Sequence, residues 1–168
     1  MPIMVKKRMK QYQRGFTLME LMIVMAVIGI LATIIGGSFI QANLKARDAQ
    51  RKGDLTQIQS SLEAYYGDHH EYPFASNDGM IQGTPWGGVF QDTTPTTYMN
   101  QLPNDRKQPT IQFFYITSTD KTKYQLFTHL ENDRDKDINL SIVGKTCGTL
   151  QCNYGASSSN TRPESSLN

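Results

Sequence analysis

"RGFTLMELMIVMAVIGILATIIGG", Arg14 to Gly37, sets one carboxylate, Glu20, at the mouth of an apolar run. From Leu21 to Leu44 there is no charged residue and no proline. Read as a helix, Phe16 to Ile40 spans about 37 Å at ~1.5 Å per residue, enough for a ~30 Å hydrocarbon core. A carboxylate inside such a helix costs ~2.5–3.5 kcal/mol on insertion scales. Nearness to the interface, about one turn from Arg14, relieves part of that cost. It gives no reason for the residue to be there.

The charges before the run are one-sided. Residues 1–15 carry Lys6, Lys7, Arg8, Lys10 and Arg14 and no acid. Removing those five from the 17 basic residues leaves 12 against 15 acids, so the net charge of +2 belongs to the leader. It therefore says little about nucleic acid. A leader of this kind stays on the cytoplasmic side and sends the C-terminal part outside. The outer flank is also basic (Lys45, Arg47, Arg51, Lys52), but Asp48 and Asp54 are mixed into it. A secretory signal peptide, cut near Gly36 and Ser38, and a plain signal anchor both suit this pattern. Both leave Glu20 unexplained.

Arg14-Gly15-Phe16-Thr17-Leu18-Met19-Glu20 resembles the class III signal of type IV pilins and type II secretion pseudopilins. The resemblance implies cleavage by a prepilin peptidase between Gly15 and Phe16, methylation of the new N-terminus on Phe16, and assembly through Glu20. In a filament core an unpaired carboxylate is costly. The α-amino group that cleavage creates on Phe16 of a neighbouring subunit is a suitable cation. Four residues of helix, ~6 Å of rise, separate the two groups along one chain. An axial stagger of one step brings one chain's acid to another's amine. The pair then sets register, and assembly waits for the cut.

Downstream, Leu55, Ile58, Leu62 and Tyr65 recur at helical spacing, with Tyr66 beside the stripe. Such a stripe needs a partner layer. Gly67 reads as the stop, with Pro73 beyond it. The helix is expected from about Thr17 to Tyr66, with Gly36-Gly37 as a close-packing notch or a place to unwind. The stretch KARDAQRKGDLTQIQSSLEAYY also resembles minimal pilins and pseudopilins.

Residues 74–110 read as a loop pinned to the core by Trp86 and Phe90. Ile111–Thr117 and Tyr124–Leu130 are aromatic and β-branched, and Ser118–Lys121 can turn between them. Ile138–Val143 is the candidate third strand. The expected fold class is α+β and pilin-like, a long N-terminal transmembrane and amphipathic helix packed on a small C-terminal antiparallel sheet. Its parts are a leader (1–15), a membrane and assembly helix (16–40), an amphipathic half (41–67), a loop-and-sheet head (68–154) and a disordered tail (155–168). That tail, from Gly155, lacks a run of apolar residues. Leu102-Pro103-Asn104-Asp105 before the strand pair is similar to secretion pseudopilins. The glycine-rich stretch usual after their second strand is missing, which favours a pilin.

Little points to chemistry. Cys147 and Cys152 can close a small disulfide loop in an oxidising compartment, with free thiols and a metal as the alternatives. Asp133, Asp135 and Asp137 alternate as calcium ligands do, and some pseudopilins bind calcium near this place. Against an EF-hand loop, however, Ile138 stands where glycine belongs and Gly144 where the closing glutamate belongs, and Arg134 and Lys136 supply charge of their own. A solvated acidic turn is the plainer reading. His69-His70-Glu71 and His129 are read as structural. The basic cluster Lys45, Arg47, Arg51 and Lys52 suits acids on a neighbouring subunit or lipid headgroups, and DNA by its charge. Asn139-Leu140-Ser141 matches a glycosylation acceptor. No catalytic motif is present, so no enzyme and no resident cofactor is expected.

The expected function is a structural subunit of a type IV pilus-like filament. A pseudopilin of a secretion or DNA-uptake machine is the close alternative. A membrane-anchored binding protein that never polymerises, using Trp86 as its ligand face, is the alternative of another class. The resemblance implies as partners related pilin subunits, the prepilin peptidase, an assembly platform and, before assembly, the lipid bilayer.

Overall fold

The computed structural model describes residues 15–93 and 96–167, without the side chains of 34–38. The leader through Arg14, and the orientation expected from its charges, lie outside the described residues. The chain divides into two compact units, Met1–Ile40 and Gln41–Asn168. One helix, α1 (Leu18–His69), contributes to both. It starts one residue after the expected position and runs through Gly36, Gly37 and Gly67 to end three residues late. The stop is at His70, which takes φ 58° and donates its N–H to the Tyr66 carbonyl at 2.8 Å.

In the second unit the expected stripe is the core. Leu55, Ile58 and Leu62 are almost wholly buried and Tyr65 nearly so. They pack with Tyr115, Tyr124 and Leu126 of a three-stranded antiparallel sheet. Its strands are β3 (Phe114–Thr117), β4 (Tyr124–Thr128) and β7 (Tyr154–Ser157), in the order β3-β4-β7. The expected hairpin is present as β3–β4, with Phe114 opposite Phe127 and Thr117 opposite Tyr124. Asp120 accepts from the Ser118 hydroxyl at 2.6 Å and from the Thr122 N–H at 3.2 Å across the turn. The Ser118 hydroxyl, followed by these backbone and side-chain partners at Thr122, lowers the Asp120 carboxyl to about 2. Two short ribbons complete the head: β1 (Phe90–Gln91) with β2 (Thr97–Met99), and β5 (Thr146–Cys147) with β6 (Leu150–Gln151).

Two expectations are overturned. Ile138–Val143 is not a strand. Asn139 closes a local turn by accepting the Ser141 N–H at 2.9 Å, and of the run's apolar side chains Ile142 is buried while Leu140 and Val143 face water. The third strand is β7, which holds the first part of the tail expected to be disordered. Its Gly155 leaves no room for a side chain: a Cβ there would lie 2.8 Å from the Phe127 ring and 2.9 Å from Pro163. Pro163 and its neighbours thus close over the outer face of the sheet. The Gln125 side chain, 1% exposed, donates to the carbonyls of Arg162 and Ser165. Burying that amide without acceptors would cost about 1–3 kcal/mol, so the polar tail is ordered by hydrogen bonds in place of apolar burial.

The same outer face carries a second small core of Phe127, Ile142, Cys147 and Cys152. The two cysteines form a disulfide, with Cα atoms 5.1 Å apart. Gly148, at φ 82°, turns the ribbon between them in a conformation that side chains rarely adopt.

Gln125→Leu should lower head stability by about 1–3 kcal/mol, because the tail carbonyls lose their donor. In a chain ending at Ser158 the same substitution should cost much less. Urea unfolding of the four combinations measures the coupling.

Candidate functional site

Gly15 and Phe16 precede α1, and Phe16 is 87% exposed. Thr17 and Glu20 form a reciprocal cap. Glu20 donates its N–H to the Thr17 hydroxyl at 3.2 Å. The Glu20 carboxylate accepts the Thr17 N–H at 2.9 Å and the Thr17 hydroxyl proton at 3.0 Å. This is the T-x-x-E capping box, which satisfies helix-end donors from both sides. The T-x-x-E pattern is legible in the sequence, and it gives Glu20 a partner within its own chain besides the one expected from a neighbouring subunit. A carboxylate offers about four lone-pair sites, so the cap leaves capacity for a further cation.

Among the described residues of the first unit, the neighbours of this charge are apolar or neutral. Every described residue from Phe16 to Thr33 is exposed, including Leu18, Met19, Met22, Met25 and Ile30, and Glu20 is the only charged residue among them. An apolar surface all round a helix needs lipid or other helices to cover it. Among the described residues no helix is long and apolar enough to cross a membrane. Beyond the side chains of 34–38, which are not described, the run continues with Phe39 and Ile40, both exposed.

In the second unit the buried stripe of α1 continues toward its N-terminus in polar form. Arg51 and Asp48, 3% and 1% exposed, precede Leu55 at the same alternation of four and three residues. The Arg51 guanidinium pairs with Asp48 at 2.8 Å, with Glu131 at 2.8 Å and with Asp105. Arg47 grips Glu131 through two 2.9 Å bonds, and Lys107 reaches it at 2.6 Å. Asp48 also accepts the N–H groups of Glu131 and Asn132 at 2.9 and 2.8 Å. Two distant loops are thereby fixed on one helical turn. Burial works against the Arg51 charge, but hydrogen bonds and Coulomb attraction from Asp105 and Glu131 outweigh it and raise its pKa. The Arg47 hydrogen bond first, and then those of Lys107 and Arg51, hold the Glu131 carboxyl far below its ordinary value against the effect of burial.

These pairings correct the reading of an outward basic cluster. Arg47, Arg51 and Lys52 meet acids of their own chain, and Lys45 stays exposed. Trp86 is 5% exposed and stands edge-on to Phe113 at 5.5 Å, so it pins the loop and offers no ligand face. His129 lies one residue beyond β4, with Nδ1 2.7 Å from the Gln151 carbonyl. His69 stacks on Tyr65 and its Nε2 lies 3.1 Å from Asp92. Asp135 and Asp137 both bind Lys52.

Residues 10–36 match the family model "Prokaryotic N-terminal methylation motif". Type II secretion system core protein G of Dickeya chrysanthemi is 34% identical over 110 residues, covering 52% of this chain and 72% of that protein. The protein of the same name from Escherichia coli (strain K12) is 27% identical over 95 residues, covering 55% and 66%. Type IV major pilin protein PilA of Myxococcus xanthus (strain DK1622) is 34% identical over 71 residues, covering 42% and 32%. No solved structure gave a significant match.

Removing Arg51 takes a cation from three largely buried acids: Asp105 loses its guanidinium partner, Asp48 keeps two backbone N–H groups, and Glu131 keeps Arg47 and Lys107. Arg51→Ala should therefore destabilise the head by about 3–5 kcal/mol in urea unfolding, against about 0–0.5 for Lys45→Ala. Glu131 adds a pH dependence. Its folded pKa lies below the unfolded value near 4.5, so the unfolded chain takes up a proton first on acidification. The contribution is complete near neutrality and is lost as pH falls below about 4.5 toward the depressed folded pKa. Glu131→Gln should flatten the fall in the urea midpoint between about pH 6 and 3.

Proposed function

The chain belongs to the family of the type II secretion system core protein G and is a membrane-anchored, pilin-like filament subunit; we propose that it is made as a precursor, cut between Gly15 and Phe16, methylated on Phe16 and polymerised through its N-terminal helix. The basic leader stays in the cytoplasm and the head lies outside. One observation carries the reading: Glu20 is the only charge among the exposed apolar residues Phe16–Thr33, and it falls inside the matched motif. Before cleavage the acid has Thr17 as its local partner. After cleavage its spare acceptor sites meet the amine on Phe16 of a neighbouring subunit. A dry helix core strengthens that pair and penalises any register that leaves the acid unpaired.

Assembly in a short secretion pseudopilus is favoured over a long pilus. The secretion relatives align over 66% and 72% of their length, and the pilin over 32% of its own. The missing glycine-rich stretch weighs toward a pilin, but a single absent segment counts for less than alignment over two thirds or so of the secretion relatives' length. Prepilin peptidase, related subunits and a secretion assembly platform are the partners this function requires. Electron microscopy of sheared surface material, showing short fibres or none, would agree with a pseudopilus.

Mass measurement of the mature protein should find an N-terminus at methylated Phe16, and a mature chain beginning at Met1 or near Ser38 would refute the processing. Glu20→Gln and Glu20→Ala separate the two roles of the acid. Glutamine also completes a capping box but carries no charge. Both variants should insert in the membrane and fail to form filaments. Normal filaments from Glu20→Gln alone would show that the cap, and not the ion pair, is what assembly needs.

A further inference from the structure

The calcium implied by the resemblance does not fit the residues around Asp135. A calcium ion takes about 6–8 oxygen ligands at ~2.3–2.6 Å. Here the Lys52 ammonium lies 2.7 Å from Asp135 Oδ1 and 2.7 Å from Asp137 Oδ2. Asp135 Oδ1 also accepts the Asp137 N–H at 3.0 Å, so its acceptor sites are filled. The third acid of the alternation, Asp133, is exposed. The ammonium lies 5.4 Å from the centre of the Tyr154 ring as well, which adds a cation–π contact from β7.

The place of Lys52 on the helix gives this contact its effect. It sits one turn beyond Asp48, the residue that accepts the N–H groups of Glu131 and Asn132. Asp48 thus holds the start of the acidic loop, and Lys52 holds its far end. Between them the backbone makes tight turns, Asp135 N–H to Asn132 O at 2.8 Å and Ile138 N–H to Asp135 O at 3.3 Å. Lys52 is partly shielded, with 23% of its side chain exposed, so salt screens the contact less than it would a surface pair.

We propose that Lys52 is a built-in counter-ion, whose ammonium holds the loop 132–138 in place as a bound divalent cation would, so that this head is ordered without calcium. A fixed charge has consequences that a bound ion lacks. The loop does not depend on the cation concentration outside the cell, and a chelator cannot release it. Take the ammonium away, and two neighbouring carboxylates are left to repel each other until another cation arrives.

The test is thermal unfolding of the full-length chain in detergent micelles, with EGTA or with about 5 mM calcium. Wild type should unfold at the same temperature in both, within about 1 °C. Lys52→Met should unfold about 3–6 °C lower in EGTA, and calcium should recover part of the loss. Lys52→Arg should keep the wild-type indifference. A wild-type midpoint that rises several degrees with calcium overturns the proposal. So does a Lys52→Met midpoint equal to wild type in EGTA, or a loss that calcium leaves untouched. Should Lys52→Met fail to fold, Asp137→Asn serves in its place: its carboxylate is 43% exposed. It should lower the midpoint equally in EGTA and calcium, and an unchanged midpoint overturns the role of Lys52.

Discussion

Arg51 is the interaction on which the head depends. A guanidinium 3% exposed is tolerable only when acids surround it, and Asp48, Asp105 and Glu131 do so from three parts of the chain. Such a pair adds little net stability compared with an apolar replacement, because desolvation cancels much of the attraction. What it supplies is placement. The loops at Asp105 and Glu131 can dock on the helix only where their carboxylates reach the guanidinium, and Asp48 adds two backbone N–H groups to that condition. An apolar contact would allow either loop to slide.

The same physical rule operates in the first unit with the opposite arrangement. There the charge is Glu20, and the surrounding side chains are apolar and exposed. Within the chain Thr17 satisfies it by closing the cap. The helix end needs donors and acceptors paired, and the acid needs partners, so one short contact serves both. In the filament proposed here the apolar surface would become a core, and the remaining capacity of the carboxylate would acquire a value it does not have in a solvated helix end. Local capping and intermolecular pairing are compatible roles for one side chain.

The amphipathic stripe, the hairpin and the apolar N-terminal segment are all legible in the sequence. Leu55, Ile58, Leu62 and Tyr65 show their period directly, and the aromatic runs flank an evident turn. Two features carry no local signal, for definite reasons. Asp48 and Arg51 continue the stripe in phase with Leu55, but polar residues in phase resemble a solvated face until their partners, more than fifty residues away, are known. The third strand, Tyr154–Ser157, has a glycine, an alanine and a serine in its four positions. Small residues carry no apolar signal, and their value here is that Phe127 and Pro163 can approach Gly155.

The long helix, its apolar first part with one acid at the entrance, the glycine and basic residues before it, and the aromatic hairpin can be read from the residues alone. All of these are patterns of near neighbours, governed by helix and strand periodicity and by the cost of a charge in an apolar run. The partners of Arg51 and Lys52, the edge strand β7 and the ordered tail emerge only in the folded chain. Those depend on which distant carboxylates and carbonyls converge on a buried donor, and chain closure, not local propensity, brings them together.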